Sequence, residues 1–329
     1  MIRFVELFDR VDFKEAVMRL GGNGLTKTAL KRSVVKNKES SKVKLNPGHI
    51  KLFNRVIEFY HSAFAEDDRA RQYLNIRGIT DKSLFSDYWI GFSNGTLLNV
   101  LPDDDKITKQ LKKIGILNSK GKEHFYGCIK FPLYDPDGNP MGMYDRRIDG
   151  MAKGADHLYL PGGRDGLFNR QVAKTNKEII LTESVLDSLT LINQGIKNTI
   201  PCHGTNGLGA SRINLLSQNK VKAVYICFDG DKAGQIALPV VKERVNNAHL
   251  MPYLVTLPYG QDINDFFLLT ASPKENFNNL VAMANPAVKK ENDPDIQKTD
   301  YGFTLTVLDL KYEVRGISKK GNKLTPAKK

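Results

Sequence analysis

Two short apolar runs, each closing on a carboxylate and each followed at once by a helical pattern, constrain this chain more than any other feature. Ala223, Val224, Tyr225, Ile226, Cys227 and Phe228 end on Asp229-Gly230-Asp231, and Ile179, Ile180 and Leu181 close on Glu183. Runs this short and apolar suit strands buried on both faces of a parallel sheet. Val185 to Gln194 and Lys232 to Asn246 have helical character, which makes two βα units. A third consists of a strand over Thr199 to His203, a turn at Gly204, Thr205, Asn206 and Gly207, and a helix over Ser211 to Gln218. A fourth strand, Met251 to Leu257, ends in Pro258-Tyr259-Gly260, just ahead of Asp262, Asn264 and Asp265. Strands alternating with helices of roughly ten to fifteen residues predict an α/β fold with a doubly wound sheet. In such a sheet the C-terminal strand ends form the crevice where ligands sit, so Glu183, Asp229 and Asp231 are expected to converge there. Clustered carboxylates without bases to pair with invite a divalent cation. Mg²⁺ suits them because it is hard, prefers oxygen and keeps waters or substrate phosphates in its shell.

At these residues the chain resembles the Toprim domain, the catalytic fold shared by DnaG-type primases, topoisomerases and some nucleases. That pattern is a Glu after the first strand, matched by Glu183, and an Asp-x-Asp after the third, matched by Asp229 and Asp231. The flanking text is similar to the DnaG-type version: Glu183 to Asp187, the turn Gly204-Thr205, Asp231-Lys232-Ala233-Gly234, and Leu257-Pro258 followed by Asp262. Ser184 stands where Gly is usual, which predicts a sterically tighter turn, and Asn264 stands where an Asp is expected, which removes one anionic ligand. Upstream, Tyr73 to Ile79 with Ile90-Gly91-Phe92 resembles the opening of the primase core. Phe131-Pro132-Leu133-Tyr134-Asp135, Gly138, Gly142 and Arg146-Arg147 resemble its next motifs, and His157 to Gly162 with Gly166 to Asn169 is most similar to primases of plasmids and integrative elements. Tyr126, Cys128 and Lys130 occupy a stretch where relatives often carry Arg.

The resemblance implies a Toprim doubly wound parallel sheet preceded by a mixed α+β primase N-terminal subdomain. It implies a DNA primase: template-directed synthesis of short RNA primers by attack of a hydroxyl on the α-phosphate of a nucleoside triphosphate. On that reading Asp229 and Asp231 hold Mg²⁺ or Mn²⁺ on the triphosphate, Asp262 and Asp187 complete the acidic shell, and Glu183 either ligates metal or moves the proton. Arg146 and Arg147 are the candidates for phosphate or template contacts. Lys153 or His157 would stand in for a family lysine without a clean counterpart, and Lys232 joins the nucleotide- or DNA-binding set. The partners implied are single-stranded DNA template and nucleoside triphosphates, with a replicative helicase or a separate zinc-module chain as further candidates. Two alternatives stay open: a Toprim nuclease using the same acids with water, and a non-catalytic single-stranded-DNA-binding remnant.

A net charge of +13 over 329 residues suits a polyanionic partner, since each neutralised phosphate releases condensed counterions. No apolar stretch approaches the roughly 20 residues that span a bilayer, and the N-terminus lacks a signal-peptide core, so a cytoplasmic protein is expected. Cys128, Cys202 and Cys227 are widely spaced and form no zinc motif, so no zinc is expected. Phe4 to Phe8 and Asp12 to Leu20 resemble the helical end of the zinc module of DnaG-type primases. The expected organisation is therefore a zinc-module remnant over 1–25, a basic linker over 26–47, the primase N-terminal subdomain over 48–172, the Toprim domain over 173–285, and a polar linker with a basic C-terminal segment over 286–329. Asn46 as N-cap, Pro47 at the first helical position and apolar spacing at Ile50, Phe53, Val56, Ile57 and Tyr60 predict a helix from Asn46 to Phe64. Near the C-terminus, Phe303, Leu305 and Val307, then Leu310, Tyr312 and Val314, predict one or two strands.

Several conspicuous features take an ordinary reading. Asp135 to Asn139 has its Gly too early for an EF-hand loop and reads as a hairpin turn. Asp103 to Asp105 follows Pro102 and reads as a solvated loop. Gly162-Gly163 lacks the Lys-Ser of a P-loop and reads as a mobile turn. His203 reads as structural as readily as catalytic. Helix N-capping is the competing explanation for Glu183, Asp229 and Asp231.

Overall fold

A computed structural model describes residues 45–148, 157–161, 166–202 and 208–284, together with strand residues between 295 and 325. Residues 1–44, Lys153, Gly162-Gly163 and the segment from His203 to Gly207 lie outside the described residues. The chain divides into two compact units, Glu39–Val288 and the pair of segments Met1–Lys38 and Lys289–Lys329.

The larger unit opens with helix α1 (Pro47–Glu66), started as expected: the Asn46 side chain accepts from the His49 amide at 2.9 Å, and Pro47 takes the position where no amide hydrogen is needed. Its buried face is Phe53, Val56, Ile57, Tyr60, Ala63 and Phe64, the i, i+3, i+4, i+7 spacing of a helix lying on a core. Helices α2 (Asp68–Ile76) and α3 (Ser83–Asp87) follow, then strand β1 (Gly91–Phe92) and helices α4 (Leu97–Val100) and α5 (Asp105–Lys113). Asp104 caps α5 by accepting from the Lys106 amide, so the Asp103 to Asp105 run starts a helix rather than only a loop. Strands β2 (Cys128–Tyr134), β3 (Pro140–Arg147) and β4 (His157–Tyr159) complete an antiparallel sheet of order β1-β2-β3-β4. The β2–β3 connection is the expected hairpin, in which Asp135 Oδ1 accepts from the amides of Asp137 and Asn139.

Strand alternation divides this sheet into two differently used faces. Ile129, Phe131, Leu133 and Tyr144 join a core with Val185, Leu186, Leu189 and Ile192, whereas Met143 packs with Phe53, Val56, Ile57 and Tyr60 of α1. On that second side Lys130 and Asp145, opposite one another on β2 and β3, form a buried ion pair with the Lys130 ammonium 5.2 Å from the centre of the Tyr60 ring. Lys130, in the stretch where relatives often carry Arg, is thus used internally.

After α6 (Val172–Thr175) come β5 (Glu178–Thr182), α7 (Val185–Asn193), β6 (Thr199–Pro201), α8 (Ala210–Gln218), β7 (Ala223–Phe228), α9 (Lys232–Asn247), β8 (Met251–Thr256), α10 (Ile263–Leu269) and α11 (Pro273–Ala282). The four strands are all parallel, in the order β6-β5-β7-β8. Helix α7 is buried from Val185 to Ile192 because the antiparallel sheet's core takes one side of it and Leu191 packs with Ile180 and Cys227 on another. The chain runs from β5 outward to β6 and then back past β5 to β7, so the order reverses between β5 and β7. That reversal is where open α/β sheets hold ligands.

In the smaller unit β9 (Asp295–Thr299), β10 (Gly302–Val307) and β11 (Leu310–Arg315) form an antiparallel sheet of order β11-β10-β9, and β12 (Ser318–Lys320) pairs with β13 (Lys323–Thr325). The expected strands are β10 and β11. The other three escape the sequence reading because a segment such as Asp295–Thr299, with one large apolar residue, shows no alternation. No described helix is long and apolar enough to cross a membrane.

Candidate active site

Strands β5 and β7 are neighbours in register from Glu178 opposite Ala223 to Thr182 opposite Cys227, so Glu183 and Asp229 leave the sheet at the same edge. The Asp229-Gly230-Asp231 turn is locked against the turn after β8: the Gly230 amide donates to Gln261 O at 2.8 Å, and the Gly260 amide to Gly230 O at 3.1 Å. A Cβ at Gly230 would lie 2.2 Å from Pro258 O, so only glycine permits this approach. The docking brings Asp262 alongside. Glu183, Asp187, Asp229 and Asp262 line one cleft, which Arg77, Arg146, His157 and Tyr159 also line.

The acids are not equivalent. Asp231 caps α9 by accepting from the Gly234 amide at 2.8 Å, and Asp262 caps α10 by accepting from the Asp265 amide at 2.6 Å. Asp187 closes a capping box with Ser184, accepting from its amide at 2.9 Å and its hydroxyl at 2.7 Å. Capping engages one oxygen of each of these three acids, whereas Glu183 and Asp229 each keep a buried oxygen lacking a partner. Burial pushes the Asp229 carboxyl up to about 8, reinforced by the charges of Asp187, Glu183, Asp262 and Asp231. Burial also raises Asp187 to about 7, against the hydrogen bond from Ser184 and with the help of Asp262 and Glu183. Glu183 is raised by burial and by Asp231, the Asp229 amide offsetting part of this.

Crowded, partly buried carboxylates, two of them with orphaned buried oxygens, fit a hard divalent cation. Among the described residues no three acids, histidines or cysteines come close enough to enclose an ion by themselves. Divalent cations such as Mg²⁺ are commonly held by one or two carboxylates with waters and phosphates supplying the rest.

Residues 180–267 match the family described as Toprim-like. The chain is 29% identical to the DNA primase of Aquifex aeolicus (strain VF5) over 80% of its own length and 53% of that protein. The crystal structure of the zinc-binding and RNA polymerase domains of the Aquifex aeolicus primase superposes with a TM-score of 0.59 at 26% identity, over 86% of this chain and 70% of that one. A DNA primase domain from Pseudomonas aeruginosa gives 0.63 at 24% identity, over 72% and 79%. In fold the chain is similar to the catalytic core of DnaG-type primases. The chain spans about half the length of the curated relatives it matches, 53% and 47% for two of them.

Around this cleft the basic candidates separate. Arg146 lies in the cleft, its Nε donating to Tyr73 Oη at 2.8 Å. Arg147, one residue on along β3, falls on the opposite face and does not line the cleft. Lys232 is exposed at the start of α9, also outside the lining, and Lys153 lies outside the described residues. Arg77, to which the motif reading assigned no role, enters the cleft with its guanidinium 5.4 Å from the centre of the Tyr73 ring. It sits in the Tyr73 to Ile79 motif, yet its place in the cleft depends on Asn264, 187 residues away, whose side-chain amide donates to Arg77 O at 2.7 Å and to Thr190 Oγ1 at 3.1 Å. Asn264, expected only as a lost acid, is therefore a buried tie. The expected tightening at Ser184 does not occur: φ −120° and ψ 168° are ordinary extended values, and the hydroxyl accepts from the Asp187 amide.

Proposed function

We propose that this chain is a DNA primase that joins ribonucleotides on a single-stranded DNA template with Mg²⁺ or Mn²⁺ as cofactor. The observation that carries the reading is the pair of partnerless carboxylate oxygens on Glu183 and Asp229 at the sheet's order reversal. These two residues would hold the ion, with Asp231, Asp262 and Asp187 adding negative charge around it. A divalent ion there supplies neutralisation of the triphosphate and polarisation of its α-phosphoryl group. Arg77 and Arg146 bring guanidinium donors suited to non-bridging phosphate oxygens. The primer's 3′-hydroxyl, or at initiation that of a bound nucleotide, attacks the α-phosphorus as the bond to pyrophosphate breaks. The hydroxyl proton leaves to solvent or to Glu183, whose carboxylate either ligates the ion or moves that proton. The charge of +13 supports template binding through phosphates.

Incubation with single-stranded template, labelled ribonucleotides and Mg²⁺ or Mn²⁺ tests this directly. New short RNA is expected; template degradation would indicate a nuclease, and binding alone a non-catalytic remnant.

A further inference from the structure

Strands β3 and β4 pair with Arg146 opposite His157 and Tyr144 opposite Tyr159. Opposed residues, and residues two apart on one strand, share a face, so these four side chains stand together. Three of them, Arg146, His157 and Tyr159, line the acidic cleft. Arg146 Nη1 lies 2.7 Å from His157 Nε2, and His157 Nδ1 lies 2.8 Å from Tyr144 Oη. A guanidinium can only donate, so His157 Nε2 must be an unprotonated acceptor. The imidazole proton then sits on Nδ1 and is donated to the Tyr144 oxygen. Since Arg146 Nε donates to Tyr73 Oη, acceptors from α2 and β4 grip one guanidinium from two directions.

We propose that His157 is a positioning residue for the triphosphate: its unprotonated Nε2, backed by buried Tyr144, holds Arg146 in the orientation that receives phosphate oxygens. This rests on the nucleotidyl-transfer reading of the cleft. The physical reason is preorganisation, because a guanidinium fixed before binding gives up less side-chain freedom when substrate arrives.

The test is equilibrium binding of a fluorescent ATP analogue with Mg²⁺, followed by anisotropy, for the unaltered chain, His157→Ala, His157→Gln, Arg146→Ala and the His157→Ala, Arg146→Ala pair. Losing the acceptor should weaken binding about tenfold in His157→Ala, as for a hydrogen bond to a charged group. His157→Gln should restore most of it, because Oε1 accepts where Nε2 did. In the Arg146→Ala background His157→Ala should add nothing, since His157 acts through that arginine. In primer synthesis the same change should raise KM for nucleotide with little effect on kcat. Additive losses in the double variant, or a Gln variant as weak as Ala, would overturn the proposal. A chain that binds the analogue with this coupling but makes no primer would sink the primase reading alone. Failure of the unaltered chain to bind the analogue would sink both.

Discussion

Glu183 and Asp229 keep buried oxygens that no described group satisfies, whereas Asp187, Asp231 and Asp262 each accept backbone amides at a helix start. Neutralising either of the first pair removes a candidate ligand and relieves like-charge crowding. Glu183→Gln and Asp229→Asn should each lower nucleotide incorporation by about 10² or more. Neither should lower the melting temperature in EDTA at pH 8. Labelled-nucleotide incorporation beside thermal denaturation checks both halves, and near-normal incorporation by the pair of changes would remove these acids from the mechanism. Gly234 answers a steric demand at the same turn: a Cβ there would meet Asp229 O at 2.2 Å. Because that neighbour is backbone, Gly234→Ala should cost about 1–3 kcal/mol of stability and also displace Asp229, reducing incorporation. Chemical denaturation and the incorporation assay read the two effects separately.

Among elements, β3 shows how period decides use. Successive residues point to opposite faces, so Arg146 joins Tyr144 on the cleft side, while Arg147 shares the side of Asp145, Met143 and α1. Arg146→Ala should weaken triphosphate and template binding and flatten its salt dependence by about one counterion, whereas Arg147→Ala should change neither. Anisotropy titrations over a salt series measure this, and equal losses for the two variants would contradict the assignment. Helix α7 shows a second dependence. Ser184 supplies the hydroxyl that Gly could not, and with Asp187 it sets the helix start in the lining of the acidic cleft.

For the molecule as a whole, the acid cluster links stability, protons and metal. Burial and mutual repulsion push the Asp187 carboxyl up to about 7 and that of Asp229 up to about 8 and raise Glu183, whereas unfolded carboxyls lie at about 4. Between about pH 4 and about pH 8 the folded state therefore retains protons that the unfolded state has released. The cluster's contribution to stability falls as pH rises through that window. A divalent ion binds the deprotonated carboxylates and relieves the repulsion, so it should stabilise more as pH rises. The difference in melting temperature between Mg²⁺ and EDTA should grow from pH 5 to pH 8 and disappear in the Glu183→Gln, Asp229→Asn double variant. A difference independent of pH would refute the linkage.

Much of this architecture is legible one segment at a time. The start of α1 at Asn46-Pro47, the hairpin at Asp135, the four parallel strands and the acids at their ends depend on local period, caps and turn chemistry, which operate over a few residues. The sequence alone determined that Glu183, Asp229 and Asp231 stand at strand ends, and the Toprim pattern made their convergence an expectation. It could not decide which acids are already engaged, because capping and metal binding place the same residue type at the same spot. Only the tertiary structure separated Asp231 and Asp262, each with one oxygen engaged by a helix amide, from Glu183 and Asp229, left with orphaned buried oxygens. It likewise decided that Lys130 is spent on Asp145, that Arg146 leans on His157, and that Asn264 ties Arg77 into the cleft. Each of these depends on which strand or helix lies beside which, a choice made by burying apolar faces across long sequence separations, and no local pattern carries it.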